Sequence, residues 1–397
     1  MSLGLLILAG GQSRRMKVDK ADLPWDEGTL LTRWLDEAGS LPFKEIIISS
    51  NKVRHLPENQ DIGMPIRQME DTYPNKGPLG GIVTALEKGL CDAYLVVAVD
   101  MPFFPCKAAY RWWQVYTHTQ LSKDEGKRVN RCNGECGSLG KEGIYWSYTG
   151  QVPQPMGGIY TKKALPMLKE ALCKGEYRLR DLPHQRLNSF LPEEEVYGDL
   201  LFMNINQPKE YKLALAINEN AKRQVPLVSI TASRSKTGKT RVIRELIHLL
   251  SKKGFRVGFV KSDGHGFQMD RSDSDTGKAT IAGASAIAIA GPGQYAIVEK
   301  KEKVPSLLEL SQRLEVDLVM LETRTQGVSP VFEVCRRAYT QERLYTDEET
   351  MGVIGDTSFS LPRDEGNYYS WDELVTLADW IIDFLMKVNV WKDKLSQ

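Results

Sequence analysis

Residues 5–16 of this chain read LLILAGGQSRRM, and this stretch decides the fold that we predict for the first half of the sequence. Its first four residues are apolar and predict a β-strand that is buried on both faces. The glycine pair that follows predicts a turn whose backbone N–H groups bind a phosphate group at the start of a helix. A strand followed by such a loop is typical of a nucleotide-binding α/β domain.

A second stretch of the same kind covers residues 227–240, with the sequence LVSITASRSKTGKT. Its final Gly-Lys-Thr supplies the turn, the phosphate-binding lysine and the Mg²⁺-binding hydroxyl of a P-loop. Apolar residues recur on one face from residue 241 to residue 250 and predict the helix that this pattern requires. Ser233 replaces the first glycine of the pattern, so the loop either binds a nucleotide or is a degenerate, unoccupied loop. The two loops predict two nucleotide-binding domains fused end to end.

Length and composition fit a globular protein with two domains. The chain has 397 residues, of which 42% are hydrophobic and 26% charged. The formal net charge of +1 gives no reason to expect nucleic acid or a membrane as the main partner. No apolar run approaches the roughly 18 residues that span a bilayer. The six cysteines do not form a disulfide framework, so we expect a reducing, cytoplasmic compartment.

Strand-like and helix-like stretches alternate along the chain, which predicts parallel sheets joined by crossover helices. The predicted strands are 5–8, 46–49 and 94–99 in the first half, and 227–231, 256–260, 284–290, 317–322, 331–334 and 353–354 in the second. We therefore expect an α/β protein in which a Rossmann-like domain is followed by a P-loop NTPase-like α/β domain. The polar residues before Pro226 mark the boundary. The predicted domains cover 1–218 and 226–397, with a linker over 219–225 and a helix at the C-terminal end.

One cysteine pair needs an explanation of its own. Cys132 and Cys136 lie in a polar stretch between residues 121 and 150. A lone pair at this spacing supplies half a zinc site, and neither a second pair nor a histidine pair lies nearby in the sequence. We expect unliganded thiols in a surface loop, with half a zinc site as the alternative.

The first glycine loop is followed by a series of cationic side chains. Gly10 and Gly11 let the backbone approach a triphosphate, and Arg14 and Arg15 neutralise its charge. Lys20 follows shortly afterwards and acts as a point charge on the transferring phosphate. This series predicts a triphosphate site at the start of the chain.

Two later motifs complete the predicted site. The segment 77–82, GPLGGI, has small residues that let a backbone wall lie flat against a base or a ribose. Asp100 follows a predicted strand, at the edge where ligands of open α/β sheets bind, so it is placed to hold Mg²⁺ with substrate oxygens and waters. Each motif alone has an ordinary explanation, because glycine pairs form common turns and strand-end aspartates cap helices. In this order and spacing, the motifs together predict a catalytic site.

These motifs resemble those of the nucleotidyltransferases of molybdenum cofactor maturation, in their guanylyltransferase (MobA-type) branch. The matching segments are 8–16 (LAGGQSRRM), 19–20 (DK), 77–81 (GPLGG), 100–102 (DMP), 154–156 (QPM) and 204–208 (NINQP). The resemblance covers about residues 3–215. It implies GTP with Mg²⁺ as the donor and the molybdopterin-bound molybdenum cofactor as the acceptor, with a guanine dinucleotide cofactor and pyrophosphate as the products.

The resemblance also implies a role for individual residues. The implied catalytic residues are Arg15, Lys20 and Asp100, and Asp100 is also the implied Mg²⁺ ligand. The implied nucleotide- and acceptor-binding residues are Leu8, Ala9, Gly10, Gly11, Ser13, Arg14, Asp71, Gly77, Pro78, Leu79, Asn204 and Asn206. Lys17 stands where the family usually has glycine. Because the acceptor phosphate is already an anionic nucleophile, catalysis needs positioning and charge neutralisation rather than a catalytic triad.

The second half, over about residues 226–360, resembles the molybdopterin-guanine dinucleotide biosynthesis adaptor (MobB-type). The matching segments after the loop are 261–266 (KSDGHG), Asp270, 275–276 (DT), 282–284 (AGA) and 317–322 (DLVMLE). The implied nucleotide-binding residues are Ser235, Lys236, Thr237, Gly238, Lys239 and Thr240, and the implied metal ligands are Thr240, Asp275 and Glu322. Ser262 replaces the first histidine of the family pattern. Because Ser233 and Thr323 stand where glycine is usual, we expect GTP binding with at most weak hydrolysis.

Other functions fit the same motifs. A cytidylyltransferase of the same cofactor pathway, or a sugar-phosphate nucleotidyltransferase, would use the same loop and the same Mg²⁺ carboxylate. A non-catalytic carrier or chaperone for the cofactor is a third alternative, although the set of Arg15, Lys20 and Asp100 favours catalysis. The expected partners are GTP, the molybdenum cofactor, upstream cofactor-synthesis proteins and apo-molybdoenzymes, with neither nucleic acid nor a membrane among them.

Overall fold

The chain folds into two compact α/β units, Met1–Leu215 with Val390–Gln397, and Ala216–Asn389. The computed structural model describes residues 1–10, 16, 18–54, 62–124, 143–186, 194–263, 266–267, 271–323, 330–336, 338–339, 343–346, 349–356 and 368–396. Each unit is built around one large β-sheet. The predicted α/β class is therefore confirmed for both halves of the chain.

The first unit contains the elements from β1 to α6. Its strands are β1 (Leu3–Leu8), β2 (Pro24–Trp25), β3 (Gly28–Thr29), β4 (Ile46–Ser49), β5 (Ile66–Met69), β6 (Ala93–Ala98), β7 (Ile144–Thr149), β8 (Val152–Thr161) and β9 (Gln185–Arg186). Its helices are α1 (Leu30–Gly39), α2 (Pro78–Lys88), α3 (Cys106–Asp124), α4 (Leu165–Lys174), α5 (Glu194–Leu201) and α6 (Pro208–Ala221), whose residues from Ala216 onward belong to the second unit.

The first sheet has the strand order β5-β4-β1-β6-β8-β7-β9. Strands β5, β4, β1 and β6 are parallel, so their carboxyl ends meet at one edge. Strand β8 runs antiparallel to its neighbours β6 and β7, so this sheet is mixed rather than purely parallel as predicted. The chain runs from β1 out to β4 and β5 and then returns to β6 on the other side of β1. Such a reversal opens a ligand crevice beyond the carboxyl ends of the two central strands.

Strand β1 lies in the core of the first unit, where its backbone approaches a neighbouring side chain closely. A Cβ atom on Gly4 would lie 2.5 Å from Cε1 of Tyr94 in β6. The Tyr94 hydroxyl donates a hydrogen bond to the Glu45 carboxylate, which also accepts the Leu90 N–H and an Arg67 N–H. Burial alone would raise the pKa of Glu45, but these hydrogen bonds hold it below its usual value. Glycine at position 4 is thus required by packing.

The second unit contains the remaining elements. Its strands are β10 (Leu227–Thr231), β11 (Val257–Lys261), β12 (Ala286–Gly291), β13 (Gln294–Glu299), β14 (Leu318–Thr323), β15 (Val331–Cys335), β16 (Gly352–Gly355) and β17 (Tyr368–Ser370). Its helices are α7 (Lys239–Lys252), α8 (Asp275–Ile281), α9 (Leu307–Ser311) and α10 (Leu374–Leu395), whose C-terminal end belongs to the first unit. The main sheet has the order β11-β14-β10-β15-β16-β17, and all its strands are parallel.

One predicted strand differs from our expectation. The run 284–290 was expected in a buried parallel sheet, but its strand β12 forms an antiparallel two-stranded ribbon with β13. Most of this ribbon is open to solvent, and Tyr295 is 78% exposed. The interpretation was wrong because an apolar run indicates a strand but does not identify its pairing partner.

The polar stretch predicted as a linker, residues 219–225, lies inside the second unit. Residues 219–221 of the predicted linker form the last turn of α6. Asn220 is fully buried, and its side chain donates to the Ala216 carbonyl oxygen at 2.8 Å and accepts the Leu227 N–H at 2.9 Å. Asn220 is therefore bonded to the start of β10, whereas Glu219, Lys222 and Gln224 are exposed. The limits of independently folding domains remain a prediction.

None of the described helices is both long enough and apolar enough to cross a bilayer.

We expect Gly4→Ala to lower the free energy of unfolding of the first unit by about 1–3 kcal/mol, because the added methyl group overpacks the core against Tyr94. Gly39→Ala is the matched control, since its Cβ would meet Ile62 at an ordinary 3.4 Å. This control replaces a helical glycine and should leave stability unchanged or raise it by up to about 1 kcal/mol. Urea unfolding followed by circular dichroism measures both, and equal stability of the two variants would contradict the packing argument.

Candidate functional site

The carboxyl edge of the first sheet gathers residues from distant parts of the chain. Ala9 follows β1, Ser49 ends β4, and Asp100 lies just beyond β6. Ile205, between α5 and α6, donates its backbone N–H to the Asp100 carbonyl oxygen at 2.9 Å. The loop that carries Asn204 and Asn206 is thereby attached to the same edge.

Lys20, Asp100 and Asn206 form one hydrogen-bonded cluster at this edge. The Lys20 Nζ atom donates to Asp100 Oδ2 at 2.6 Å and to Asn206 Oδ1 at 2.9 Å. The Lys20 and Asp100 side chains are only 20% and 14% exposed, so salt and water screen their attraction less than on the surface. The structure thus joins three of the predicted site residues directly.

A short 3-10 turn over residues 20–22 carries the Lys20 side chain to this cluster. Asp19 caps the turn, and its Oδ1 atom accepts the Ala21 N–H at 3.1 Å. Burial alone would raise the pKa of Asp19, but the Ala21 N–H and the Arg54 cation outweigh it and hold the pKa below its usual value. Asp19 is therefore a charged cap at neutral pH.

Arg54 is a residue of this edge that the sequence analysis missed. Its side chain is only 6% exposed, and its guanidinium donates to both Asp19 carboxylate oxygens, at 3.0 and 3.1 Å, and to the Ala9 carbonyl oxygen at 2.7 Å. One signal was available, because Arg54 lies in the loop after a predicted strand. Strand β4 pairs with β1, so this loop emerges beside the glycine loop.

Asp71 lies after β5 at the same edge. Ser49 Oγ donates to Asp71 Oδ1 at 2.5 Å. Burial raises the pKa of Asp71, and the nearby Glu70 charge adds to this effect, whereas the Ser49 hydrogen bond opposes it. A Cβ atom on Gly81 of α2 would lie 2.8 Å from Ser49 Oγ and 3.2 Å from Asp71 Oδ1. The small residue at position 81 thus lets helix α2 lie against this carboxyl group.

The Gly-Pro-Leu segment forms the start of α2. Gly77 precedes the first turn with φ of +61°, in the left-handed region that glycine adopts without strain. Pro78 occupies the first turn, where its missing N–H costs no hydrogen bond. Leu79 is fully buried, and a nucleotide contact at this position remains a prediction.

Local hydrogen bonds hold the remaining predicted residues of the first site. The Asn204 side chain donates to the Phe202 carbonyl oxygen at 3.0 Å, and the Asn206 backbone N–H donates to Glu210 at 2.5 Å. Leu8 is half-buried at the end of β1, before Gly10. Several residues that the sequence analysis named lie outside the described residues: Gly11, Ser13, Arg14, Arg15, Lys17, Cys132, Cys136, His265 and Asp270.

The Asp100 carboxylate, which the sequence predicts as a Mg²⁺ ligand, is bonded to Lys20 through one of its two oxygens. Among the described residues, the hydrogen bond to its carboxylate is made to Oδ2, which leaves Oδ1 for a cation. The described part of the chain contains no group of three side chains that would hold a metal ion by itself. A Mg²⁺ ion at Asp100 would therefore take most of its ligands from substrate oxygens and water, as is usual for this ion.

The second predicted loop follows β10, the central strand of the second sheet, and precedes α7. Gly238 has φ of +108°, and Lys236 adopts a positive φ of +64° that is uncommon for a residue with a side chain. Lys239 is buried, and its Nζ atom donates to the Arg234 carbonyl oxygen at 3.3 Å. A Cβ atom on Gly238 would lie 2.8 Å from the Trp371 ring. The strand, loop and helix that a P-loop requires are all present.

The predicted metal ligands of the second unit lie on separate elements. Thr240 is exposed in the first turn of α7. Glu322 lies on β14, where it is paired in register with Ile230 of β10. Asp275 begins α8, and its ion pair is made with Lys278 of the same helix at 3.8 Å. A shared role of these three residues in metal binding remains a prediction, as does nucleotide binding by Ser235 and Thr237.

Comparison with known proteins identifies relatives of both units. A family model described as the MobA-like NTP transferase domain matches residues 5–189. A second model, molybdopterin guanine dinucleotide synthesis protein B, matches residues 227–356. Both resemblances predicted from the sequence are therefore confirmed.

Individual relatives agree with these matches. A molybdenum cofactor guanylyltransferase of Cereibacter sphaeroides is 35% identical over 216 residues, which cover 53% of this chain and 94% of that protein. A molybdopterin-guanine dinucleotide biosynthesis adapter protein of Haemophilus influenzae is 29% identical over 165 residues, or 41% of this chain and 90% of that protein. A solved structure, molybdopterin-guanine dinucleotide biosynthesis protein A from Archaeoglobus fulgidus, is 18% identical with a TM-score of 0.38, and covers 54% of this chain and 98% of that one.

We expect Asp19→Asn to lower the free energy of unfolding of the first unit by about 1–3 kcal/mol at pH 7, because the buried Arg54 loses the closer of its two carboxylate partners. The pKa of Asp19 is depressed in the folded protein, so this stabilisation is present above the unfolded value of about 3.9 and is lost as the pH falls through the folded value. Urea unfolding at a series of pH values tests this. A difference between wild type and variant that stays constant down to about pH 2 would contradict the prediction.

Proposed function

The chain belongs to the family of molybdenum cofactor guanylyltransferases and carries a MobB domain in its second half, and we propose on this basis that its first unit transfers GMP from GTP to the molybdenum cofactor. The products are the guanine dinucleotide form of the cofactor and pyrophosphate. The observation that supports this most is the contact of Lys20 with both Asp100 and Asn206 at the carboxyl edge of the sheet. This contact places a cation, a carboxylate and an amide where a ligand of an open α/β sheet binds.

The proposed reaction is a direct displacement at the α-phosphorus of GTP. A phosphate oxygen of the acceptor forms the new P–O bond, and the bond to pyrophosphate breaks on the opposite side. The attacking oxygen is already anionic, so no base has to remove a proton. The task of the protein is therefore to orient the two substrates and to stabilise the negative charge that moves onto the leaving group.

In this proposal, each residue of the site has its own role. Lys20 supplies a positive charge to the phosphates, and Asn206 orients the Lys20 ammonium group through its Oδ1 atom. We assign Asn204 to the acceptor, Asp71 with the start of α2 to the nucleoside, and Arg14 and Arg15 to the phosphates.

We assign Mg²⁺ to Asp100, whose Oδ1 atom and low exposure fit a single carboxylate ligand. When bound, the ion would neutralise charge on the phosphate oxygens. Asp100 also holds Lys20 through its other oxygen, so one side chain orients both positive charges.

We assign GTP binding to the second unit, through Lys239 and the backbone of the loop from Ser235 to Thr240, with weak hydrolysis at most. Replacement of the first glycine of the P-loop by Ser233 and the strained backbone at Lys236 support binding over efficient turnover. We place both units in the cytoplasm. Upstream cofactor-synthesis proteins and apo-molybdoenzymes are the proposed partners, since the acceptor must be delivered and the product handed on.

One assay tests which nucleotide is the donor and which molecule is the acceptor. Pyrophosphate release is measured with the full chain, molybdenum cofactor and either GTP or CTP. Release with GTP that exceeds release with CTP supports the proposal. A preference for CTP would indicate the cytidylyltransferase alternative, and release with a sugar phosphate in place of the cofactor would indicate the sugar-phosphate alternative. No release under any condition would favour a carrier.

We expect Lys20→Ala and Asp100→Ala each to lower kcat by about 100- to 1000-fold, the usual cost of one preorganised electrostatic group. Lys169→Ala is the control, because Lys169 forms an exposed ion pair with Glu87 away from the carboxyl edge and should leave kcat within about twofold. Steady-state kinetics with GTP and the cofactor measure all three. Near-normal turnover of both site variants would overturn the assignment of this site.

We expect Lys239→Ala to weaken GTP binding at the second unit by at least about tenfold, because a charge-assisted hydrogen bond to phosphate is worth about 1.5–3 kcal/mol. Titration calorimetry of the full chain should then lose one of its two binding events. Lys252→Ala, at the exposed C-terminal end of α7, serves as the control. Two intact binding events in the Lys239 variant would contradict GTP binding by this loop.

A further inference from the structure

The Arg54 guanidinium holds three segments of the first unit together. It donates to the Ala9 carbonyl oxygen at 2.7 Å, to Ser50 Oγ at 3.1 Å, and to both carboxylate oxygens of Asp19 at 3.0 and 3.1 Å. A longer contact reaches Asp22 Oδ1 at 3.4 Å. These partners come from the end of β1, the end of β4 and the turn that carries Lys20.

Two of these partners flank the predicted phosphate loop in the sequence. Ala9 and Asp19 stand on either side of residues 10–18, which contain the predicted phosphate loop. A single nitrogen of Arg54, Nη2, donates to both of them. The Ala9 carbonyl oxygen and the Asp19 carboxylate must therefore both lie within hydrogen-bonding distance of the same nitrogen atom, which limits the distance between these two residues.

The same contacts continue into the Lys20 cluster. Asp19 accepts the Ala21 N–H, and Lys20 lies between these two residues in the chain. Lys20 then reaches Asp100 and Asn206. A displacement of the Asp19 carboxylate consequently moves the backbone from which the Lys20 side chain extends.

We propose that Arg54 is a positioning residue for the transfer reaction, which sets the place of Lys20 relative to the end of β1 by clamping Ala9 and Asp19. This inference rests on the function proposed above. All three nitrogens of Arg54 donate to protein oxygens and the side chain is 6% exposed, so we assign it no contact with the substrate.

The geometry requires arginine rather than a cation in general. The planar guanidinium presents N–H groups in fixed directions and serves a carbonyl, a hydroxyl and a carboxylate at once, whereas the lysine ammonium is a compact charge on a flexible stem. Lys52 provides a natural comparison, because its Nζ atom contacts the same Asp19 carboxylate at 3.2 Å but its side chain is 73% exposed. Its contact adds positive charge beside Asp19 but does not join Asp19 to the end of β1.

The first experiment compares Arg54→Lys and Lys52→Ala in the full-length protein. Arg54→Lys keeps the charge and should lower kcat by about 10- to 100-fold, with the KM for GTP changed by less than about threefold, because a small misplacement of a reacting group costs rate. Lys52→Ala removes a charge and should change kcat by less than about twofold. Full kcat in Arg54→Lys would overturn the inference.

A double-mutant cycle separates positioning from general stability. If Arg54 acts through Lys20, Arg54→Lys should cost less than about threefold in a Lys20→Ala background, because the group that it positions is absent. A loss of folded protein would lower the rate by the same factor in both backgrounds. Equal factors in the two backgrounds would therefore overturn the inference.

A crystal structure of the Arg54→Lys protein gives a readout that does not depend on activity. We expect Lys20 Nζ to lie beyond hydrogen-bonding distance of Asp100 Oδ2, and retention of the 2.6 Å contact would overturn the inference whatever the kinetics show. Failure of the wild-type protein to transfer GMP would instead contradict the proposed function. The crystal structures of wild type and variant would then decide the role of Arg54 by themselves.

Discussion

The parallel pairing of β1 with β4 on one side and β6 on the other is the constraint on which the site of the first unit depends. Because parallel strands present their carboxyl ends at one edge, the loop after β1, Arg54 after β4 and Asp100 after β6 become neighbours. The close packing of Tyr94 on Gly4 and the buried core around β1 stabilise this pairing. The positions of the charged groups thus follow from strand direction before any local interaction is considered.

Two ion pairs lie at this edge of the sheet, and they involve two adjacent residues of the chain. Asp19 binds Arg54, and Lys20 binds Asp100. Both pairs are largely shielded from solvent, where removal of one partner is costly because it leaves the other charge without compensation. The turn at residues 19–22 is therefore held from both sides, by a cation on Asp19 and by a carboxylate on Lys20. This arrangement explains how a short segment beside a glycine-rich loop keeps one orientation.

The features that are local in the chain could be predicted from its sequence. Strands with flanking glycines, the P-loop context after β10 and the α/β class follow from hydrophobic runs and turn residues, and the family motifs added Asp71 and Asn206. Arg54 and Ser49 were missed because their importance depends on which strands are neighbours, and hydrophobic periodicity does not report pairing. For the same reason, the run 284–290 was wrongly assigned to a buried parallel sheet, whereas its apolar residues form an exposed ribbon.

The Trp371 ring packs against the backbone of the predicted P-loop at Gly238. The edge of the indole ring lies where a side chain at position 238 would be, and the Arg241 guanidinium lies 5.3 Å from the ring centre. A change in the loop backbone at Gly238 must alter the packing and the polarity around this ring. The environment of Trp371, one of eight tryptophans in the chain, is therefore coupled to the backbone shape of the predicted P-loop, so this aromatic residue is part of the structure that fixes the loop.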